Sequence, residues 1–423
     1  IGVSTAEGSS KIMTVAENIV YKNEMKRGVF FDYKKNIKVV EDLSKRYMLQ
    51  VDPSAIVGEC PVGLQQRVEI LKTLYQNADV IIFDEPSAVL TPIEVDELLK
   101  TMKQLAKLGK SLIIITHKLH EVMEVADRIV VMRLGEVVAE RLKKDTSVEE
   151  LSYLMVGRQI ANRVIPEKET KEQLLEVKNL ILKGEHDKNI LNNVNLNIKK
   201  GEIVGIAGVS GNGQSELIRC ITGLEKVDGG NVIINNKDIT NHTVMNIRES
   251  GIAHIPEDRY MWGSAPDATL AENALMGYED NKEFSKKGIL NINKVTKHAT
   301  DLIYKFRVKA DSPSQKIKEL SGGNAQKLIV AREISMETPL IIACEPTRGI
   351  DIGAIEFIHD QLVEKRNKGD SVLLVSSELS EIMDLSDRIY VIYEGEIVGE
   401  FKRGSIDEKE LGLLMVGGKN NEK

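Results

Sequence analysis

The chain has 423 residues, more than one average domain needs and comfortable for two. It is 42% hydrophobic and 29% charged, ordinary for a folded globular protein, and its net charge of −7 argues against a broad nucleic-acid or anionic-lipid surface. Cys60, Cys220 and Cys344 are far apart and lack metal-ligand spacing, and apolar runs such as Leu112–Ile115 are far too short to span a bilayer.

The chain repeats itself. Asp84-Glu85-Pro86-Ser87 matches Cys344-Glu345-Pro346-Thr347, and Leu154-Met155-Val156-Gly157 matches Leu414-Met415-Val416-Gly417, both 260 positions later. One ungapped register runs from Cys60 to Gly157. Thr14–Asn18 matches Thr269–Asn273 at an offset of 255, so one small gap lies between. The expected organisation is a first unit over 1–158, a short linker with Pro166 over 159–172, and a second unit over 173–423. Projecting the second unit's start back by the smaller offset places the first unit's beginning roughly 80 residues before Ile1. The first unit is therefore expected to lack its N-terminal part.

In chain order, Ile1–Lys11 is small and polar, and the repeat equates it with a strand-to-loop segment ahead of Thr14. Residues 33–48 have helical spacing, ending in Leu43, Tyr47 and Met48. Cys60-Pro61-Val62-Gly63-Leu64 precedes a helix pattern over Gln65–Leu71. Val80–Asp84 is an apolar strand ending in the pair Asp84-Glu85. Ligands of a parallel sheet gather beyond the C-terminal ends of its strands, although carboxylates there also cap helices. The next strand, from Ser111, ends at His117. Gly109-Lys110-Ser111 imitates the end of a phosphate loop, but Gln104 stands where the first glycine belongs and the segment leads from helix into strand; it reads as a turn.

In the second unit, strand Gly201–Ala207 leads through Gly208-Val209-Ser210-Gly211-Asn212-Gly213-Gln214-Ser215 into a helix. The spacing fits the phosphate loop G-x-x-x-x-G-K-[ST], with Gln214 in the lysine's place. The backbone of Gly208, Gly211, Asn212, Gly213 and Gln214 and the Ser215 hydroxyl can still bind phosphates and Mg²⁺; the cationic contact is lost. A dinucleotide-binding reading needs an acid about twenty positions on, where Asn235, Asn236 and Lys237 stand. Then come His254-Ile255-Pro256-Glu257-Asp258-Arg259 and the turn Leu320-Ser321-Gly322-Gly323-Asn324, ahead of an apolar helix pattern. Ser321 is expected to cap that helix, and the glycines let backbone N–H groups approach an anion. The strand Leu340–Cys344 carries Cys344 where the first unit has Asp84, and Ser377 stands in place of His117. Asp351 keeps an acidic loop position that Thr91 has lost.

This order of turn, helix, apolar strand and Glu-Pro-Thr resembles the ABC-type ATPases, from about Thr14 to Gly417. The Pro-Glu-Asp-Arg quartet looks like the second domain of fused ATP-binding subunits for simple-sugar and nucleoside import, and Ala88–Pro92 leans towards the nucleoside branch. The resemblance implies an α/β fold of two tandem P-loop domains, each a mostly parallel sheet with an antiparallel β edge and a helical subdomain. It implies ATP and Mg²⁺, two transmembrane permease subunits, an extracytoplasmic substrate-binding protein, no nucleic acid, and a peripheral place on the cytoplasmic face of the cell membrane. Asp84 is implied to orient the water shell of Mg²⁺, Glu85 to polarise the attacking water and His117 to contact the γ-phosphate. Leu320, Ser321, Gly322, Gly323 and Asn324 form the signature turn. The glutamine expected before Thr14, and the aromatic that stacks on adenine, are missing.

Members of that family pair head to tail, so the departures sort onto one site. Site one, with Asp84, Glu85 and His117 facing Leu320–Asn324, keeps every visible part. Site two joins Gln214, Cys344 and Ser377 to the turn where Pro61 and Val62 replace hydroxyl and glycine. The expectation is one hydrolytic site and one that binds nucleotide only, with Glu345 as a remnant. Site one needs a lysine-bearing phosphate loop, projected roughly 40 residues before Ile1, so the 423-residue chain alone is expected not to turn over ATP. The alternatives are a non-hydrolysing nucleotide-binding scaffold and a soluble tandem translation factor.

Overall fold

The computed structural model describes residues 2–3, 9–60, 62–87, 90, 92–133, 135–156, 166, 172–184, 189–209, 211–350 and 352–418. Pro61, Ala88, Val89, Thr91, Gly157, Ser210, Asp351 and most of the expected linker lie outside them. The chain divides into two compact units, Ile1–Ala161 and Asn162–Lys423.

The second unit is organised by the strand Ile203–Ala207, five consecutive buried residues. It pairs in parallel with Ser371–Val375 on one side and with Arg388–Tyr393 on the other. Leu340–Cys344 and Ile252–Ile255 extend the parallel sheet, and Glu396–Lys402 closes the far edge antiparallel. That last hairpin turns through Glu394 and Gly395, both at positive φ (45° and 76°), the geometry a tight two-residue turn demands. A separate antiparallel sheet is built from Gln173–Lys183, Asn189–Lys199, Gly229–Ile234 and Lys237–Asp238.

Between the two sheets lies the helix Gln214–Thr222. It starts at Gly213 (φ 103°) and ends at Gly223 (φ 78°), whose left-handed conformation lets its N–H reach the Arg219 and Cys220 carbonyls. Leu217, Ile218, Cys220 and Ile221 face Leu175, Val177 and Leu196 of one sheet and Leu340, Ile342 and Leu373 of the other in one buried cluster. The opposite face of the main sheet is covered by Gly322–Ile334, Ile352–Asn367 and Leu379–Leu385, with Leu328, Ile358 and Ile382 in the core. Leu270–Leu275, Ile292–Lys305 and Gly322–Ile334 form the helical part.

The first unit repeats these elements. Gly2–Val3 pairs with Ile82–Phe83, as Ile252–Ile255 pairs with Leu340–Ala343, so the segment before Thr14 takes the expected strand position. Thr14 and Thr269 both open short helices with a reciprocal capping box to Glu17 and Glu272. Tyr33–Tyr47 and Ile292–Lys305 are equivalent amphipathic helices, capped by Asp32 and Asn291. The one-sheet expectation needs correction here. Gly2–Val3, Val80–Asp84 and Ser111–Ile115 form a three-stranded parallel sheet, while Arg128–Arg133 and Glu136–Leu142 form a separate hairpin. In the second unit, Ile203–Ala207 joins the corresponding pieces; among the described residues of the first unit no strand does so. The face that helix Gln214–Thr222 covers in the second unit is open in the first. Ile113 and Ile115 are 50% and 51% exposed, against 0% and 8% for Leu373 and Val375, their counterparts 260 positions on.

Leu217 is fully buried at the centre of the wedge between the sheets. Leu217→Ala is expected to lower the stability of the second unit by about 2–5 kcal/mol, read from the shift of its urea transition in the full chain.

Candidate functional site

The phosphate-loop candidate lies at the C-terminal end of Ile203–Ala207, where that strand meets helix Gln214–Thr222. Gly211 and Gly213 adopt φ 90° and 103°, open only to glycine at low cost. Gly208 has no room for a Cβ, because the Gln214 amide and Ile392 occupy the space. Gln214 therefore lies back over the loop that a lysine would serve as a cation. Asn212 has a structural role in its side chain: it donates to the Met415 carbonyl (3.0 Å) and accepts from the Glu394 N–H (3.3 Å). Its carbonyl accepts from Gly395 N–H at 3.0 Å, which ties the loop to the hairpin turn. Ser215 Oγ donates to Glu257 at 2.7 Å. This hydroxyl and carboxylate are hard oxygen donors of the kind Mg²⁺ takes.

The signature-turn candidate differs from expectation in one bond. Ser321 is extended (φ −62°, ψ 152°) at the start of Gly322–Ile334, but its hydroxyl does not cap that helix. It accepts from Asn324 Nδ2 at 2.9 Å, while the Ser321 carbonyl receives the Asn324 and Ala325 N–H groups. Ser321 is exposed and Leu320 is buried in the core, so Leu320 anchors the turn and Ser321 with Gly322 and Gly323 faces outward. In the first unit, the helix Val62–Tyr75 starts at the equivalent turn. There the space a side chain at Gly63 would take is held by the Glu94 carboxylate. An acid at a helix start is favourable for the helix and unfavourable for an arriving phosphate.

The strand-end acids form the most informative pair. Glu85 and Glu345 share a left-handed backbone (φ 43° and 45°), and each N–H donates across the sheet at 2.8 Å, to Ile115 and Val375. Non-glycine residues at positive φ are uncommon and cluster at functional sites. His117 Nδ1 lies 3.1 Å from Glu85 Oε1, and its hydrogen bond holds the Glu85 carboxyl below the usual range against opposing desolvation. Asp84 stands beside it, exposed. Glu345 instead accepts from Ser377 N–H at 2.7 Å and from its hydroxyl at 3.1 Å. Desolvation first, and the neighbouring Glu381 charge second, push Glu345 up to about 7. Cys344, in the place of Asp84, is buried, and that burial drives its thiol well above the ordinary range, so it stays neutral. His254, 3.9 Å from the sulfur, is pushed down to about 4 by burial and is neutral too. A neutral thiol is no ligand for a hard cation.

Sequence reasoning had no role for Glu94, Glu257 or Arg259. The Pro-Glu-Asp-Arg quartet was a visible signal for the last two. Glu94 lies about thirty positions from the turn it covers, and nothing local marks it.

With this geometry in hand, comparison with known proteins is direct. A family profile described as ABC transporter matches residues 191–348. The chain is 46% identical over 412 residues to the nucleoside import ATP-binding protein NupA of Lactococcus lactis subsp. cremoris, covering 97% of this chain and 81% of that protein. It is 46% identical to the guanosine import ATP-binding protein NupO of Bacillus subtilis, with 97% and 80% covered. The ribose import ATP-binding protein RbsA of Bacillus cereus is 35% identical, with 96% and 81% covered. The chain belongs to the ABC transporter family. No helix among the described residues is long and apolar enough to cross a membrane.

The raised Glu345 binds its proton more tightly folded than unfolded. Its contribution to stability is fully present below pH 4.5 and is lost as pH rises to about 7. Relative to Glu345→Gln, the wild-type second unit is expected to lose about 1–3 kcal/mol across that window, measured by parallel thermal unfolding at pH 4.5 and pH 7.5.

Proposed function

We propose that the chain is the ATP-binding subunit of an ABC importer for a sugar or nucleoside, with one hydrolytic and one non-hydrolytic ATP site. The observation that carries the asymmetry is the pair of strand-end glutamates. One lies 3.1 Å from a histidine nitrogen and is held below the usual carboxylate range, whereas the other has only Ser377 as a donor and is pushed up to about 7 by burial and a like charge. A general base must be ionised to accept a proton, and Glu85 meets that condition at neutral pH. The import functions of the relatives at 46% identity support the substrate class. They favour import over a soluble translation factor.

In this reading Asp84, Glu85 and His117 of the first unit carry hydrolysis, and the turn Leu320–Asn324 is a phosphate-binding turn of the second unit. Glu85 takes the proton of the attacking water, and His117 keeps the carboxylate charged and oriented. The Gly322 and Gly323 N–H groups at a helix start, with the exposed Ser321 hydroxyl, hold phosphoryl oxygens. Asp84 would hold Mg²⁺, which when bound would supply charge neutralisation on the phosphates. The second site rests on Gly208, Gly211, Asn212, Gly213, Gln214 and Ser215. There Asn212 works by shaping the backbone, and Ser215 by its hydroxyl. Its missing cation, neutral Cys344 and the serine that stands in place of a histidine beside Glu345 suit binding without turnover, and Glu94 at the first unit's turn disfavours a phosphate there. Two permease subunits and an extracytoplasmic substrate-binding protein complete the system, with this chain peripheral on the cytoplasmic face.

The hydrolytic site requires a lysine-bearing phosphate loop, which residues 1–423 do not contain. The open apolar face around Ile113 and Ile115 matches the one that the phosphate-loop helix covers in the second unit. The 423-residue chain by itself is therefore expected to bind ATP without turning it over. Turnover by the purified chain that disappears in Glu85→Gln would overturn this assignment. In a complete importer, Glu85→Gln should lower kcat at least about 10²-fold and Glu345→Gln should change it less than about threefold. A large loss with Glu345→Gln would reverse the site assignment, and no loss with Glu85→Gln would favour the scaffold alternative.

A further inference from the structure

No side chain of Leu414-Met415-Val416-Gly417 binds phosphate or metal, yet the segment recurs 260 positions from Leu154–Gly157. It ends the helix Glu408–Met415, whose start is locked by a reciprocal capping box between Asp407 and Glu410. The last carbonyls of a helix have no partner within it. The Met415 carbonyl lies in a buried place, and the group that donates to it is the Asn212 amide of the phosphate loop, at 3.0 Å. The helix end is closed by Gly417 at φ 81°, with the Gly417 N–H on the Leu414 carbonyl (3.1 Å) and the Gly418 N–H on that of Leu413 (2.9 Å). A Cβ at Gly417 would stand 2.6 Å from the Tyr393 ring, so this end packs closely on the strand that leads into the Glu394-Gly395 turn. In the first unit, Leu154 and Met155 pack in the same way on Ile129 and Val131 of the equivalent hairpin.

Within Gly211-Asn212-Gly213 only Asn212 has a side chain by which the loop can be held. Its glycine neighbours, at φ 90° and 103°, have the most conformational freedom to lose on ordering. Asn212 is fixed at four points. Its amide nitrogen donates to Met415, its amide oxygen accepts from the Glu394 N–H at 3.3 Å, its carbonyl accepts from the Gly395 N–H at 3.0 Å, and its own N–H donates to the Val209 carbonyl at 3.1 Å. Three of the four lie outside the loop, so the loop's curve is set by the end of the unit and by the hairpin turn. We propose that Leu414–Gly417 is a clasp that holds the second unit's phosphate loop in its binding shape, with Asn212 as the positioning residue through which it acts. The clasp rests on the reading of Gly208–Ser215 as a phosphate loop. A loop already ordered before nucleotide arrives binds it more tightly. By linkage, nucleotide tightens the clasp by the same factor, and the end of the second unit thereby reports whether its phosphate loop is occupied.

The test uses the full 423-residue chain. ATP affinity with Mg²⁺ is read by equilibrium dialysis, hydrogen exchange of the Val416, Gly417 and Gly418 amides is followed with and without Mg²⁺ and ATP, and the urea transition controls for folding. In the wild type, nucleotide should slow exchange at these amides about tenfold. Asn212→Ala should weaken ATP binding about tenfold, speed the exchange without nucleotide and remove the response. Asn212→Asp keeps an acceptor for the Glu394 N–H but has no donor for the Met415 carbonyl, so it should lose the response too. Gly417→Ala acts from the other side, because its methyl meets the Tyr393 ring at a strained φ, and ATP binding should weaken by a similar factor. The two alanine substitutions together should bind ATP no worse than Asn212→Ala alone. Unchanged ATP affinity in Asn212→Ala beside a shifted urea transition makes the contact a core bond only and overturns the clasp. Losses that multiply in the double variant overturn it as well, and if Gly417→Ala does not fold, a wild-type response in Asn212→Asp does so. Failure of the wild type to bind ATP overturns the phosphate-loop reading, and exchange in Asn212→Ala without nucleotide then decides the contact with Met415 by itself.

Discussion

Everything in the second unit hangs on a strand hydrogen-bonded along both edges. Ile203–Ala207 is buried throughout and pairs with Ser371–Val375 and Arg388–Tyr393. A strand so placed has no freedom of register, because a one-residue slip would break two ladders at once and put a side chain where Gly205 lies against Ser386 and Ile382. Its end is therefore a fixed point. The phosphate loop leaves from it, the Asn212 carbonyl and side chain fasten that loop to the neighbouring hairpin turn and to Met415, and the following helix is wedged between two sheets. The first unit shows the same elements without that strand among its described residues: its parallel strands and its hairpin stand as two sheets.

The two strand-end glutamates separate what the backbone sets from what the neighbours set. Their φ angles, 43° and 45°, are nearly the same, and their cross-sheet hydrogen bonds have equal length. The scaffold is thus the same at both positions. The divergence arises from single replacements around it. His117 gives Glu85 a hydrogen bond that outweighs its desolvation, whereas at Glu345 burial outweighs the hydrogen bonds from Ser377, and Glu381 adds repulsion. Change at a few contacts is enough to hold one acid below the usual carboxylate range and to push the other up to about 7 on a common frame.

Much of this was legible in the chain because a repeat at offsets of 255 and 260 positions carries its own check. Thr14 and Thr269 read as matching helix starts and fold as matching capping boxes, and the 33–48 spacing becomes the helix Tyr33–Tyr47. What escaped was decided by competition among side chains. Ser321 has the chemistry of a helix cap, but Asn324 is near enough to claim its hydroxyl. Asn212 looks like a phosphate-loop ligand, yet a carbonyl and an N–H far along the chain, at Met415 and Glu394, take both ends of its amide. Glu94 and Arg259 reach turns that are far from them in sequence, and no local pattern encodes such reach. The split of the first unit's sheet follows from a strand pairing, a relation between segments that periodicity does not reveal.

The strand Ser111–Ile115 stands at the edge of its sheet among the described residues. Among the described residues, its backbone donors and acceptors on one side have no strand partner in the three-stranded sheet, and Ile113 and Ile115 present apolar surface beside them. An exposed strand edge with a greasy face is a template for another chain's strand. Among the described residues, the first unit's sheet thus offers both a ladder and an apolar face to one further strand, the place that Ile203–Ala207 fills in the second unit. In the second unit the edge strand Glu396–Lys402 instead places Glu396, Glu400 and Lys402 at exposed positions, charges that make it a poor template for another strand.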